Sequence, residues 1–167
     1  WHHDGMIHWD LDTSKRPIPF GVQGVLYLED TTAEQGTFQC IPGFHRTFED
    51  WVRTQPSDRD PRRPDLTNLS VEKIPGQAGD LLIWHRLLAH GNAANTAERP
   101  RLAQYITMSP ANHDNEAARE GRIKLWRDRL NPSGKAFPGD VRRWEANNEP
   151  AALTDRGRKL LGLDPWQ

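Results

Sequence analysis

Short strand-like runs separated by turn signals fill residues 1–110, and they constrain the fold more than any other feature of the 167-residue sequence. Four runs rich in apolar, β-branched or aromatic residues end at clusters of Gly, Pro or Asp, and they lie at 21–28, 37–41, 80–84 and 102–108. A short helix is predicted at 48–52, and a polar, Pro-rich loop follows over 55–67. Short strands spaced by turns in this way are typical of a β-sandwich or a jelly roll.

The sequence becomes helical in character after residue 110. Asp114 or Asn115 can cap a helix whose apolar positions lie three and four residues apart, at Ile123, Trp126 and Leu130. The segment 131–134 is predicted to end this helix. Thr154 is the expected cap of a last short helix, which Gly162 closes.

We therefore predict two parts, a mainly β core over 1–110 and a helical C-terminal extension over 111–167 that packs on it. The sequence begins at Trp1 rather than at Met, and it begins inside a motif. We accordingly expect that the core lacks residues that lie upstream in the intact protein.

Composition and charge argue against several classes of partner. Charged residues make up 27% of the chain and the formal net charge is −1, so no basic footprint for nucleic acid or an anionic membrane is present. No apolar run approaches the roughly 20 residues that span a bilayer. Cys40 is the only cysteine, which excludes an intramolecular disulfide and fits a reducing compartment. We predict a cytoplasmic protein.

The placement of His and Asp residues indicates a metal site. His8 and Asp10 lie in a segment that can be extended, and side chains two apart on a strand share one face. His90 follows Asp10 by 80 residues, just after a predicted strand. Two imidazoles and one carboxylate form the facial triad of non-haem iron(II) oxygenases, which leaves positions open for cosubstrate and oxygen. An isolated H-x-D also arises by chance as a hydrogen-bonded surface pair.

Further motifs follow in a fixed order along the chain. They are a Gln-Gly turn, a Pro-Gly-Phe-His segment, a Gly-Asp pair and a His-Gly pair, at 35–36, 42–45, 79–80 and 90–91, and then Asn95 and Arg101. With the H-x-D pair, the chain resembles the phytanoyl-CoA dioxygenase family, which includes the ectoine hydroxylases. The resemblance extends over residues 8–105 in both order and spacing.

The resemblance implies a double-stranded β-helix, the cupin-type jelly roll, that binds iron(II) through His8, Asp10 and His90. It also implies that Arg101 binds the far carboxylate of 2-oxoglutarate, in keeping with the fork geometry of a guanidinium. Asn92 stands where relatives often have Ser and can still donate to the cosubstrate. Gln23 either reaches the cosubstrate or substrate, or is a polar group satisfied within the barrel.

The activity implied by the resemblance is hydroxylation of a small molecule with molecular oxygen, releasing succinate and carbon dioxide. One alternative is a metal-binding, cupin-like jelly roll without oxygenase activity, for instance one that holds zinc. A jelly roll without metal is the other. Halogenation is disfavoured because the relatives that halogenate lack the carboxylate that Asp10 supplies.

A second H-x-D pair, His2 and Asp4, competes with the first. In many relatives the ligand motif has the sequence W-H-x-D-G, and residues 1–5, Trp-His-His-Asp-Gly, match it. Asp10 nevertheless lies 26 residues before Gly36, close to the interval usual in the family. We therefore favour His8 and Asp10.

Overall fold

The computed structural model describes residues 7–108, 110, 112, 114–130 and 144–166. The chain divides into two compact units, residues 1–110 and 111–167. In the described part of the chain, the strands lie in the first unit: β1 (Val22–Tyr27), β2 (Phe38–Cys40), β3 (Glu72–Ile74), β4 (Leu81–His85), β5 (His90–Asn92) and β6 (Ala103–Met108). The helices are α1 (Phe44–Arg53) in the first unit, and α2 (Glu116–Arg127), α3 (Trp144–Asn147) and α4 (Asp155–Leu161) in the second.

The first unit is mainly β, and its strands form two antiparallel three-stranded sheets with the orders β4-β1-β6 and β3-β2-β5. The chain passes back and forth between the two sheets, so strands distant in sequence become neighbours. β1 pairs with both β4 and β6, and β2 with both β3 and β5. This is the topology of a double-stranded β-helix, as predicted.

The core of the first unit lies under α1 and between the sheets. Tyr27, Phe38 and Trp84 come from strands of the two sheets and are almost fully buried. Phe48 of α1 is also fully buried. Burial of such rings stabilises a fold by about 1.5–3 kcal/mol each, which fixes the strands that carry the site.

The strands lie where the sequence predicts them to within a residue or two, whereas α1 is longer than the predicted 48–52. α1 begins after Gly43, whose φ of 75° is left-handed and favours glycine. Two short strands, β3 and β5, were not predicted. His90 therefore starts its own strand, β5, rather than following the end of another one as expected.

The second unit is built around α2 and α4. Asn115, one of the two predicted caps, accepts a hydrogen bond from the Ala118 amide at the start of α2. α2 ends earlier than predicted, because Arg129 adopts a φ of 55° and the Leu130 amide donates back to the Leu125 carbonyl at 2.9 Å. The predicted cap of α4 at Thr154 and its closure at Gly162, with a φ of 98°, are confirmed.

The segment predicted to end α2, residues 131–134, lies outside the described residues, as do His2 and Asp4. Within the described ranges, no helix is long and apolar enough to cross a membrane.

Candidate metal centre

The two histidines of the candidate site lie on directly paired residues. His8 donates its backbone N–H to the His90 carbonyl at 2.8 Å, and the His90 N–H donates to the His8 carbonyl at 3.1 Å. The two imidazole rings are consequently held with their centroids 5.2 Å apart. A β-bridge therefore brings together two side chains that are 82 positions apart in the sequence.

Trp9, between His8 and Asp10, holds the H-x-D segment in place. Its side chain points to the opposite face, is 1% exposed and packs against Phe44 and Phe48 of α1. The indole N–H donates to the Leu87 carbonyl at 2.9 Å. Since side chains alternate along extended backbone, burying Trp9 turns its two neighbours toward the opposite face.

His8, Asp10 and His90 converge on a common point. One ligand atom from each residue can be chosen so that all three lie within 4.8 Å of one another. The Nε2 of His8 lies 3.2 Å from Oδ1 of Asp10, and the Nε2 of His90 lies 3.6 Å from Oδ2. Hydrogen bonds from His8 and then His90 hold the pKa of Asp10 well below its usual range, against the opposing effect of burial. Asp10 is therefore an anionic carboxylate.

His90 is oriented by contacts on both sides of its ring. Its Nδ1 lies 2.7 Å from the Leu88 carbonyl, and this contact holds the ring with Nε2 toward Asp10. Phe38 stacks on the ring at 5.7 Å, and Trp84 lies 5.0 Å from it. The His90 side chain is only 7% exposed, so aromatic packing fixes its direction.

Gln23 connects Asp10 to the barrel wall. Its side-chain N–H group donates to Oδ2 of Asp10, and its carbonyl oxygen accepts from the Trp84 indole N–H at 3.3 Å. Both polar ends of Gln23 thus have protein partners. Gln23 also lines the cavity next to these residues, so both roles considered for it, reaching the cosubstrate or substrate and being satisfied within the barrel, stay predictions.

A cavity of about 210 Å³ adjoins the three residues. Its walls come from both sheets and include Gln23, Phe38, Trp84, Asn92, Tyr105 and Thr107. Because His8, Asp10 and His90 line the same cavity, a ligand within it can reach the point where the three converge.

Arg101 contacts this cavity wall through Tyr105. Its Nη2 donates to the Tyr105 hydroxyl at 2.5 Å, and that hydroxyl donates to Oδ1 of Asn92 at 2.5 Å. Nη1 of Arg101 is buried, and it has no hydrogen-bond partner among the residues that the structure describes. A buried guanidinium nitrogen without an acceptor is costly, so this position favours an anionic ligand.

Arg99, the alternative to Arg101, is directed elsewhere. Its Nη2 lies 3.4 Å from Oε2 of Glu29, and its side chain is 75% exposed. Tyr105 is a residue of this region that sequence reasoning missed. A lone tyrosine on a strand gives no local signal of a contact with Arg101 or Asn92.

A family model described as phytanoyl-CoA dioxygenase matches residues 1–103, more than half of the chain. The chain belongs to the phytanoyl-CoA dioxygenase family. The family uses iron(II) as its metal and 2-oxoglutarate as its cosubstrate. The donor set fits such an ion, since two imidazoles and one carboxylate are the ligands of a non-haem iron(II) facial triad.

Two curated relatives match part of this phytanoyl-CoA dioxygenase family member at low sequence identity. A phytanoyl-CoA dioxygenase-like protein of Dictyostelium discoideum is 26% identical over 106 residues, which cover 60% of this chain and 30% of that protein. The ectoine dioxygenase of Nocardia farcinica is 27% identical over 124 residues, covering 65% of this chain and 41% of that protein. The chain thus spans less than half the length of either relative.

Solved structures with similar folds include two bound to a metal and a 2-oxo acid. The epimerase SnoN, in complex with Fe3+, alpha ketoglutarate and nogalamycin RO, is 22% identical with a TM-score of 0.45, covering 90% of this chain and 54% of that one. HygX from Streptomyces hygroscopicus, with nickel and 2-oxoglutarate, is 20% identical with a TM-score of 0.42, covering 66% of this chain and 49% of that one.

Proposed function

We propose that this chain carries the active site of a non-haem iron(II), 2-oxoglutarate-dependent dioxygenase that hydroxylates a small molecule. The observation that carries the proposal is the convergence of His8, Asp10 and His90 on one cavity. Membership of the phytanoyl-CoA dioxygenase family supports the same chemistry.

In this proposal, the three converging side chains hold iron(II) and leave its remaining positions to the cavity. His90 offers Nε2, because its Nδ1 is engaged by the Leu88 carbonyl. Asp10 offers a carboxylate oxygen and is kept anionic by its neighbours. Gln23 keeps a hydrogen bond on the other carboxylate oxygen and so orients Asp10.

Arg101 binds the far carboxylate of 2-oxoglutarate in this proposal. Its buried Nη1, which has no hydrogen-bond partner among the described residues, and its charge both favour a carboxylate. Tyr105 holds Nη2 of Arg101 in place and lines the cavity itself. Asn92 also lines the cavity, and its carbonyl oxygen is already engaged by Tyr105, so its amide N–H group is the part directed to the cosubstrate.

When iron(II) and 2-oxoglutarate are bound, the chemistry they supply is activation of O2 coupled to oxidative decarboxylation, which gives succinate and carbon dioxide and leaves one oxygen atom for a substrate C–H bond. The residues of this chain bind and orient the reactants and keep water from the site. Phe38 and Trp84 provide the apolar part of the cavity wall next to His90.

The test is succinate formation from 2-oxoglutarate by the iron-loaded chain, with His90→Ala as the inactive variant. We expect His90→Ala to lose both iron binding and 2-oxoglutarate decarboxylation. Iron retained with full turnover would exclude His90 as a ligand. Metal binding by the wild-type chain without any succinate would favour the alternative of a metal-binding cupin-like protein. A screen of succinate formation over candidate small molecules would then identify the substrate.

A further inference from the structure

Two amide side chains hydrogen-bond to the backbone of the segment that precedes Arg101, and neither has a role in the site described above. They are Gln35 and Asn95, which face each other in an isolated β-bridge. Both belong to the motifs that the sequence singles out, the Gln-Gly turn and the Asn that follows the His-Gly pair.

Gln35 holds the residue immediately before Arg101. Its side chain is buried, with the residue only 4% exposed, and its amide Nε2 donates to the Pro100 carbonyl at 2.8 Å. The Oε1 atom accepts from the backbone N–H of Thr32 at 3.4 Å. A buried side chain that is satisfied at both ends fixes the Pro100 carbonyl relative to the turn at 32–35.

Asn95 holds the residue before that. Its Nδ2 donates to the Arg99 carbonyl at 2.9 Å, and its Oδ1 accepts from the Ala97 N–H at 3.0 Å. The same turn is held to the residue before Gln35, because the backbone amides of Thr96 and Ala97 donate to the Glu34 carbonyl at 2.7 and 3.2 Å. Hydrogen bonds within residues 95–99 therefore form a closed turn, and further hydrogen bonds join the 95–100 segment to residues 34–35.

Gly36 allows these two segments to approach closely. Its φ is 68°, which favours glycine, and an added Cβ would lie 3.1 Å from Cβ of Asn95 and 3.3 Å from the Ala93 carbonyl oxygen. The glycine of the Gln-Gly turn thus lets Gln35 and Asn95 reach the successive carbonyls of Arg99 and Pro100.

We infer that Gln35 and Asn95 are positioning residues for 2-oxoglutarate binding: together they set the backbone from which Arg101 reaches its carboxylate. The inference rests on the proposed function. Neither side chain touches the cosubstrate or the metal in this account. Each acts through the carbonyl of a residue just before Arg101, and a displacement on the order of 1 Å at such a group is enough to weaken binding strongly.

The test uses the full 167-residue chain loaded with iron(II) in the absence of oxygen, and 2-oxoglutarate itself as the probe. Gln35→Met keeps the length of the side chain and removes the donor to Pro100. Asn95→Asp, at an exposed position, keeps the Oδ1 acceptor, removes the donor to Arg99 and adds one negative charge, so its Kd is compared at low and high salt to separate the effect of the charge. Gln77→Met, in an exposed turn before β4, is the matched control.

We expect the Kd for 2-oxoglutarate to rise about five- to tenfold in each of the two variants, in line with the loss of one hydrogen bond from a positioned segment. The iron content should stay equal to that of the wild type. Hydrogen exchange at the backbone amides of residues 96–99, 101 and 102 should be faster in metal-free Gln35→Met than in metal-free Gln77→Met. Because neither iron nor cosubstrate is present in this comparison, a difference in exchange rate measures how firmly the 95–100 segment is held by Gln35.

Several results would overturn the inference. An unchanged Kd in both variants, with normal binding by the wild type, would overturn it while leaving the proposed function intact. Loss of iron together with 2-oxoglutarate binding, or a lower Tm with an unchanged Kd, would give Gln35 a general stabilising role instead. Failure of the wild-type chain itself to bind 2-oxoglutarate would overturn the proposed function, and the inference with it.

Discussion

Arg101 donates from Nη2 to the hydroxyl of Tyr105 at 2.5 Å, and its guanidinium carbon lies 5.6 Å from the centre of the Tyr105 ring. Arg101 lies two residues before β6 and Tyr105 lies within β6, four positions along the chain. Tyr105 therefore fixes one side of the guanidinium and leaves buried Nη1 for an acceptor that the described residues do not supply.

Replacing Arg101 with Ala should weaken 2-oxoglutarate binding without releasing iron. Truncating one partner of a buried charge pair typically costs about 2–5 kcal/mol, so the Kd should rise by at least about tenfold. Calorimetric titration of the iron(II) protein with 2-oxoglutarate in the absence of oxygen measures this Kd. Arg99→Ala is the matched control, because Arg99 is exposed and pairs with Glu29. An effect that follows Arg99 rather than Arg101 would contradict the assignment.

Tyr105→Phe should have a smaller effect in the same direction. The variant keeps the ring under Arg101 and removes only the hydroxyl that connects Arg101 to Asn92. Loss of such a hydrogen bond is worth about 0.5–1.5 kcal/mol, so we expect a Kd for 2-oxoglutarate about two- to tenfold higher. The same titration measures this change, with iron content as the control. Binding as tight as in the wild type would mean that Arg101 does not need Tyr105.

Truncation after Pro110 tests the division into core and extension. All the proposed ligands, and the whole buried cluster that contains Trp9 and Phe38, come from the first unit. We therefore expect residues 1–110 to bind iron(II) in the same ratio as the full chain, measured by metal analysis after anaerobic reconstitution.

We also propose that the extension packs on the core, so the truncated chain should be less soluble and have a lower Tm. Equal solubility and an equal Tm for the two chains would show that the extension is dispensable for the core.

Much of the fold could be predicted from the sequence, because β1, β4 and β6 are apolar runs that end at turn residues. β3 and β5 could not, since Glu72–Ile74 and His90–Asn92 are three-residue strands without an apolar run, and only their pairing with β2 defines them. For the same reason His90 was expected after a strand rather than in one.

In the candidate site, too, features set by neighbouring residues could be predicted, whereas contacts between distant segments could not. The shared face of His8 and Asp10 follows from alternation along extended backbone, and their convergence with His90 was implied by the family resemblance. Two contacts were not predicted, because each joins segments that meet only in the folded chain: Tyr105 of β6 with Asn92 of β5, and Gln23 of β1 with Asp10. No local pattern encodes such a contact.

The central claim is that Asp10, with His8 and His90, binds the iron, and the competing pair His2 and Asp4 lies outside the described residues. The most direct measurement compares Asp10→Ala with Asp4→Ala, recording iron content after anaerobic reconstitution and succinate formed from 2-oxoglutarate. We predict that Asp10→Ala loses both iron and succinate formation, because it removes the carboxylate that contacts both imidazoles. Asp4→Ala should retain both. Loss of iron and turnover in Asp4→Ala, with both retained in Asp10→Ala, would contradict the account.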